Sequence, residues 1–395
     1  MVHSGIILIP EFCTGCRSEA PKALIDAWCK IQVIILILFL SGCMSIPPKK
    51  VRPMHYSEGP ACADLILEEC KGVSEKDRLL CYMEGGVTLY NQEAYTDSTE
   101  ILLKASQLIE KQDIVNISDQ ASAVMINDRV MDYKGEYSER LWVHTYLMMN
   151  FIMQYKYESA LVEAKQALEL YDKYPDILEH AYFTRALIAL CFENMNLPDD
   201  ARIEYDKLAK AMGEKNPVSE SIDHGKGELI LFVEQGSVPG KGYIDTILPS
   251  FIRISIPRYA DSFPPQSVTI RSDSTVNTPM QITTDLGYVV KKSLNDRAAQ
   301  YLTRQTLRAG FKEYVAREVR DKIEFAEGLV RAVFFLSEKA DTRSWENLPE
   351  SLTLIRISLD PGSHDLEISS EFSKSVFLSG IDIQEGKRIY RSLRF

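Results

Sequence analysis

The hydrophobic pattern of this chain changes period near residue 224, and that change divides what it can build. Between Cys62 and Gly213 apolar residues recur every three or four positions, the spacing of helices buried along one face. From His224 onward short runs take over. Leu229-Ile230-Leu231-Phe232-Val233 stands between Gly227 and Gly236 and reads as a strand buried on both faces, whereas Ile252 to Ile256 and Val268 to Arg271 alternate. Prolines at 239, 249, 257, 264 and 265 punctuate these runs, as at the edges of a small sandwich. Residues 292–335 return to helical spacing. The end is again β: Leu354 to Leu359, a turn at Asp360-Pro361-Gly362, a return from Leu366 and Ile368, and a last hairpin of Val376 to Ile383 with Arg388 to Leu393. The expected class is α+β, with a helical domain over 61–215, a β-rich domain over 224–290, an amphipathic helical segment over 291–336 and C-terminal β hairpins over 341–395. A length of 395 residues suits two or three domains.

Three places in the helical half share one pattern of small and apolar residues. They are Leu147-Met148, Phe151, Tyr157, Ala160, Ala164, Ala167; then Ile188-Ala189, Phe192, Pro198, Ala201, Tyr205, Leu208; and, more weakly, Gly85-Gly86, Leu89, Tyr95, Ser98, Leu102, Ala105. Each sets small side chains where two antiparallel helices approach closely, and so resembles the tetratricopeptide (TPR) repeat. The copies lie 62 and 41 residues apart at the Ala160 position, against about 34 in a regular array, so an element is inserted over Ile114 to Arg140. The resemblance implies a groove that takes a protein segment.

With 56 acidic against 45 basic residues the formal charge is −11, which repels phosphate backbones and makes nucleic acid an unlikely partner. One segment opposes that sign: Lys291 to Lys322 carries nine basic and four acidic side chains. Phe311, Val315, Val319, Ile323, Ala326 and Val330 form its apolar stripe, with Arg304, Arg308 and Lys312 one turn apart on another face. That face reads either as a contact for a lipid surface or anionic partner, or as solvated arginines on a helix packed against the sheets.

Upstream, Val33 to Leu40 is wholly apolar and ends in Leu40-Ser41-Gly42-Cys43. The run has the size of a signal-peptide core rather than of a bilayer span. The order of leucine, two small residues and cysteine resembles the lipobox of bacterial lipoproteins. It implies cleavage before Cys43 and acylation of its thiol, with 1–42 the signal peptide and 43–60 an extended, proline-containing tether. Residues 1–30 hold three basic and three acidic side chains, which places the true start downstream of Met1 and removes Cys13-Thr14-Gly15-Cys16 from the mature chain. Met44, in place of an aspartate, favours the periplasmic face of the outer membrane. In that oxidising compartment Cys70 and Cys81 are the disulfide candidates, because the turn Lys71-Gly72-Val73-Ser74 folds two helices back on one another. Cys191 reads as core.

Asn127-Asp128, Gly135-Glu136, Val143-His144 with Tyr146, Gly227-Glu228-Leu229 through Glu234, Gly236 and Pro239, then Arg343-Ser344-Trp345-Glu346-Asn347-Leu348-Pro349 and Pro361-Gly362 resemble a family of uncharacterised lipoproteins of Gram-negative bacteria. The resemblance covers most of the mature chain and implies repeat helices first and a β region after, with no activity or cofactor attached. Its residues carry motifs without roles; Gly236 and Pro239 read as a turn, and Trp345 with Leu348-Pro349 as an apolar plug. Six scattered histidines give no metal motif, and no nucleophile elbow, phosphate loop or dinucleotide fingerprint occurs. The expected function is a lipid-anchored periplasmic scaffold that binds a protein partner and can touch peptidoglycan. A membrane-contacting assembly component and a cell-wall hydrolase are the alternatives.

Overall fold

The computed structural model describes residues 62–113, 129, 131–214, 225–248, 251–272, 279–322, 326–370 and 374–395. The signal segment 1–42, the tether 43–60 and Cys43 lie outside the described residues, as do Asn127, Asp128 and most of the insertion after Ile114.

The helical layer is built from α1 (Ala63–Gly72), α2 (Arg78–Asn91), α3 (Tyr95–Asp113), α4 (Tyr137–Met153), α5 (Tyr157–Lys173), the single turn α6 (Pro175–Leu178), α7 (Tyr182–Asn194) and α8 (Pro198–Met212). A disulfide joins Cys70 at the end of α1 to Cys81 at the start of α2, with the Cα atoms 5.7 Å apart. Proline opens α6 and α8 at the position where its missing N–H costs nothing, and Gly213 closes α8 in the left-handed conformation.

The pairs α2–α3, α4–α5 and α7–α8 are three hairpins with the same turn. Each has a three-residue loop whose middle residue has positive φ: Glu93 (60°), Tyr155 (57°) and Asn196 (56°). The N–H of the third loop residue returns five positions in each: Ala94 to Leu89 (3.0 Å), Lys156 to Phe151 (2.8 Å) and Leu197 to Phe192 (2.9 Å). Four residues on, Ser98, Ala160 and Ala201 are buried between the paired helices. A small side chain there lets the two backbones approach.

The strands are β1 (Gly227–Gln235), β2 (Lys241–Leu248), β3 (Ile252–Tyr259), β4 (Val268–Ser272), β5 (Met280–Asp285), β6 (Ser351–Leu359), β7 (Gly362–Ser370), β8 (Val376–Ile383) and β9 (Arg388–Arg394). Between β5 and β6 lie α9 (Leu286–Asp296), α10 (Ala298–Lys322) and α11 (Ala326–Ser337). The first sheet has the order β5-β6-β1-β9 and the second β4-β7-β8, while β2 and β3 pair apart from both. The two expected β domains are therefore one. Strands from 227–285 and 351–394 interleave in both larger sheets, because β1 pairs antiparallel with β6 and parallel with β9, and β4 pairs with β7. The expected final hairpin also does not form: β8 pairs with β7 in the second sheet, and β9 crosses to the first. The Asp360-Pro361-Gly362 turn likewise carries the chain from one sheet to the other. Such corners let one face of each sheet pack on the other.

Period 2 explains the layering. Leu229, Leu231, Val233, Ile355 and Ile357 face Val268, Leu366, Ile368, Ile381 and Ile383 of the second sheet in one buried cluster. Ile230, Phe232, Ile282, Leu354 and Tyr390 face the opposite way into the helical core. Thus β1 is central and buried, as its apolar run suggests. Facing it, α4 and α7 are buried nearly all round. The face of the helical layer expected as an open groove is covered by the chain's own first sheet: Tyr90 of α2 donates to Ser392 (2.8 Å), Tyr146 of α4 to Glu234 (2.7 Å), and Thr284 accepts from the Phe183 N–H of α7 (2.7 Å).

Candidate interaction surface

Glu228 and Glu234 stand on the helix-facing side of β1 and fasten its two ends. At one end Glu228 and Glu193 share Arg356 and Arg388. Arg356 reaches Glu193 through both terminal nitrogens at 2.9 Å, Glu228 at 3.0 Å and the Tyr205 hydroxyl at 2.6 Å. Arg388 holds Glu228 at 3.0 Å and Asn194 at 2.8 Å. Burial pushes the Glu228 carboxyl up, and the two guanidinium groups outweigh it and hold it below the ordinary value. At the other end Glu234 accepts from Tyr146 at 2.7 Å and Arg394 at 2.8 Å, and there burial wins and raises it.

The segment that follows α11 is a second fastening. Arg343 binds Asp77 at 2.7 Å, Asp341 at 2.7 Å and the carbonyls of Lys76 and Met131 at 3.2 and 3.0 Å. Trp345 fills the core, with its backbone N–H on Glu139 at 2.9 Å. Leu348 and Pro349 are buried, and the Leu348 carbonyl accepts from Val238 at 2.9 Å, beside buried Pro239. Gly236 turns the chain with φ +66° and bonds Phe395 at 3.2 Å. All eight motif residues thus sit where helices, sheet and C-terminal strand join. None presents a side chain for recognition.

The basic face of α10 is a correction. Arg308 is 1% and Lys312 4% exposed. Both hold the buried Glu338 carboxylate, Arg308 at 3.0 Å and Lys312 more tightly. They are neither solvated nor turned to a lipid surface, although Arg304 is half-buried. Burial lowers the Lys312 amine despite its partner. The inward positions of α10 are Tyr301, Gln305, Arg308, Lys312, Ala316 and Val319. The expected apolar stripe is split: Val319, Ala326 and Val330 pack together with Val315 against them, whereas Phe311 faces water beside Leu307 (57%) and Tyr314 (66%), two residues outside the stripe. Ile323 lies outside the described residues. A polar seam facing inward and an apolar one outward is the reverse of the usual helix. On α11 the outward residues Leu329 and Leu336 are 54% and 58% exposed.

These helices lie against one face of the β2–β3 hairpin, where Arg253 stacks over Phe335. On the other face stand Ile244, Thr246 and Leu248 of β2 opposite Ile256, Ile254 and Ile252 of β3. Its one charge is Arg258, exposed at the far end opposite Gly242. Ile244 and Leu248 are exposed, and the three β3 isoleucines only half-buried. Hairpin and helices make a two-layer plate with apolar side chains on both outer faces. Contiguous apolar surface of this kind marks interaction sites.

One carboxylate ties the plate to the helical layer. Glu136 opens α4 in a reciprocal capping box with Glu139. Its two oxygens take Lys241 at the start of β2 (2.8 Å) and Arg297 between α9 and α10 (2.9 Å). Burial alone would raise Glu136, yet Lys241 and Arg297 bring it down to about 2. Sequence reading found Gly135-Glu136 as a motif but not this role, because its cationic partners lie more than a hundred residues away. The outward apolar stripe was equally hidden: the inward spacing of Arg308 and Lys312 looks polar until Glu338 is seen to neutralise it.

Among the described residues no group of His, Cys, Asp and Glu is placed to hold a metal ion, and no helix is long and apolar enough to cross a membrane. A scan of the sequence against protein-family models finds no match, and no curated protein aligns with it significantly.

Proposed function

We propose that this chain is a lipid-anchored scaffold of the bacterial envelope, related to the uncharacterised Gram-negative lipoproteins its motifs resemble. It is held at the periplasmic face of the outer membrane by acylated Cys43 and docks a protein partner on the plate of 241–259 and 298–337. The observation that carries the docking half is the exposed apolar surface of that plate, clamped in place by Glu136. The anchor rests on Leu40-Ser41-Gly42-Cys43 after the apolar run. The helical hairpins are read as divergent TPR units, on the strength of their shared turn and the small residues at Ser98, Ala160 and Ala201. With their inner face taken by the chain's own sheet, they serve as the frame and not as the docking groove, and peptidoglycan contact falls to the outer surfaces. Metabolic labelling with an alkyne fatty acid tests the anchor: label is expected on the wild-type chain and lost in Cys43→Ala, and label persisting in that variant refutes it. In-cell crosslinking tests the docking surface: one stoichiometric adduct to a different protein is expected, lost in Leu307→Asp/Tyr314→Asp, and such an adduct unaffected by these changes refutes it.

A second reading, membrane contact through 292–335, is favoured by the outward side chains Leu307, Phe311, Tyr314, Leu329 and Leu336. Flotation of delipidated protein with neutral vesicles separates it, since binding by burial of apolar side chains needs no anionic lipid.

A further inference from the structure

The ladder between β2 and β3 has a definite phase. The Ala260 N–H donates to the Gly240 carbonyl at 3.0 Å, one step beyond the pair Lys241 and Tyr259. In an antiparallel ladder, pairs that exchange hydrogen bonds alternate with pairs that do not. Gly242, Ile244, Thr246 and Leu248 therefore point their N–H and C=O groups at β3. Those of Lys241, Tyr243, Asp245 and Ile247 point away, along an edge that carries no further strand among the described residues.

Free edges are normally blunted by proline, lysine, a bulge or a covering segment. The register of β2 against β3 is unbroken over its full length, Gly242 to Leu248 are all exposed, and the strand holds no proline. Its one carboxylate, Asp245, is already held by Arg253 at 2.6 Å and by Ser255. The edge is straight and electrically neutral, and it offers alternate hydrogen-bonding groups with apolar side chains beside them.

We propose that β2 pairs with β2 of a second copy of this chain, antiparallel about a two-fold axis through Thr246. Opposed residues must share a face, so a two-fold axis passes through a residue and not between two. An axis through Asp245 sets two carboxylates opposite one another. An axis through Ile244 leaves Thr246 and Leu248 facing Gly242 and Gly240, with no side chain to meet. An axis through Thr246 sets Ile244 against Leu248 twice and Thr246 against Thr246, pairings that stabilise strands. It also brings the outward groups of Asp245 opposite those of Ile247, completing the hydrogen bonds of both. Ile244, Leu248, Ile252, Ile254 and Ile256 from each copy then form one apolar face on a four-stranded sheet, with Arg258 at its outer margins. This self-pairing goes beyond the scaffold reading and depends on neither the lipid anchor nor the partner.

The test uses the full chain with Cys13, Cys16, Cys29, Cys43 and Cys62 each changed to Ser, which leaves the Cys70–Cys81 disulfide and buried Cys191, and carrying Thr246→Cys. Opposed residues of a non-hydrogen-bonded antiparallel pair stand about 4.5 Å apart, within disulfide reach. Mild oxidation of the purified protein is expected to give a covalent dimer at position 246, at least about tenfold more than Ile244→Cys or Asp245→Cys. Ile247→Pro removes an outward N–H without touching the ladder to β3. It is expected to abolish the crosslink while leaving far-UV circular dichroism unchanged. Preferential crosslinking at 244 or 245 overturns the register and with it the proposal. No covalent dimer at any of the three positions also overturns it. Sedimentation velocity keeps the test open if the cysteine variants fold poorly: the unaltered chain is expected as a dimer and Ile247→Pro as a monomer, and an unaltered chain that sediments as a monomer refutes the pairing.

Discussion

Among single residues, the buried carboxylates differ in whether they have been given a cation. Glu84 has not. It is 3% exposed, its Oε2 has no hydrogen-bond partner among the described residues, and burial with the nearby carboxylates of Glu346, Glu139 and Glu69 pushes it up to about 8. A carboxyl raised in the folded state contributes stability that is full below its ordinary value near 4.5 and is lost as pH rises toward 8. At about 1.4 kcal/mol per unit, ionising Glu84 in place costs a few kcal/mol. Glu84→Gln is therefore expected to raise Tm at pH 8, leave it nearly unchanged at pH 5, and flatten the Tm profile between; a parallel shift at both pH values would refute the assignment. Glu338 is the opposite case, with Arg308 and Lys312 both spent on it. Glu338→Ala takes away the buried carboxylate that neutralises two buried cations, and a loss of about 3–5 kcal/mol is expected in urea denaturation. Arg308→Met/Lys312→Leu/Glu338→Leu together should recover most of that, since a packed apolar triad of similar volume replaces the ions without the desolvation cost.

At the level of elements, the three hairpins owe their shape to short-range chemistry. Their turns and small residues stand within one stretch of sequence, so the pairs α4–α5 and α7–α8 were legible, and the weaker α2–α3 with them. Ala160→Leu forces a branched side chain between α4 and α5 and is expected to cost about 1–3 kcal/mol, measured as a lowered denaturation midpoint. The same holds for Cys70 and Cys81, eleven positions apart and joined across a turn. Cys70→Ser/Cys81→Ser removes a short closed loop, for which a loss of about 2–4 kcal/mol is typical. Limited proteolysis should show that loss as faster cleavage within 62–78. Pairing between strands was not legible to the same degree. The alternations at Ile252 and Leu354 mark strands correctly, yet nothing local states that β8 leaves β9 for β7. A two-residue period fixes which side chains share a face and says nothing about which strand lies alongside.

For the molecule as a whole, three layers share two cores, and the plate is the part whose apolar residues do not all find one. The candidate interaction surface was not legible as such in the sequence. Reading Arg304, Arg308 and Lys312 as a basic face assumed that charge lies outside, and Glu338, 26 residues beyond Lys312, reverses that for two of the three. The plate's attachment gives a prediction at this scale. Glu136→Gln weakens the hold on both Lys241 and Arg297, so amide exchange in β2, β3 and α10 should accelerate together while β1 and β6 stay protected. Acceleration spread evenly over the whole chain would instead assign Glu136 to the common core.

The arrangement around β1 also sets an order of events. Its Glu228 meets Arg356 across 128 residues of chain and Arg388 across 160. A chain that emerges from its N-terminus therefore presents Leu229 to Val233 with neither neighbouring strand yet in existence. Pairings this distant form slowly, and an apolar strand with two bare edges is an aggregation hazard while it waits. The helical hairpins, local in sequence, are complete by then. Among the described residues upstream of β1, their inner face is the surface that covers it in the finished fold, so the first half of the molecule stands ready as a template for the second.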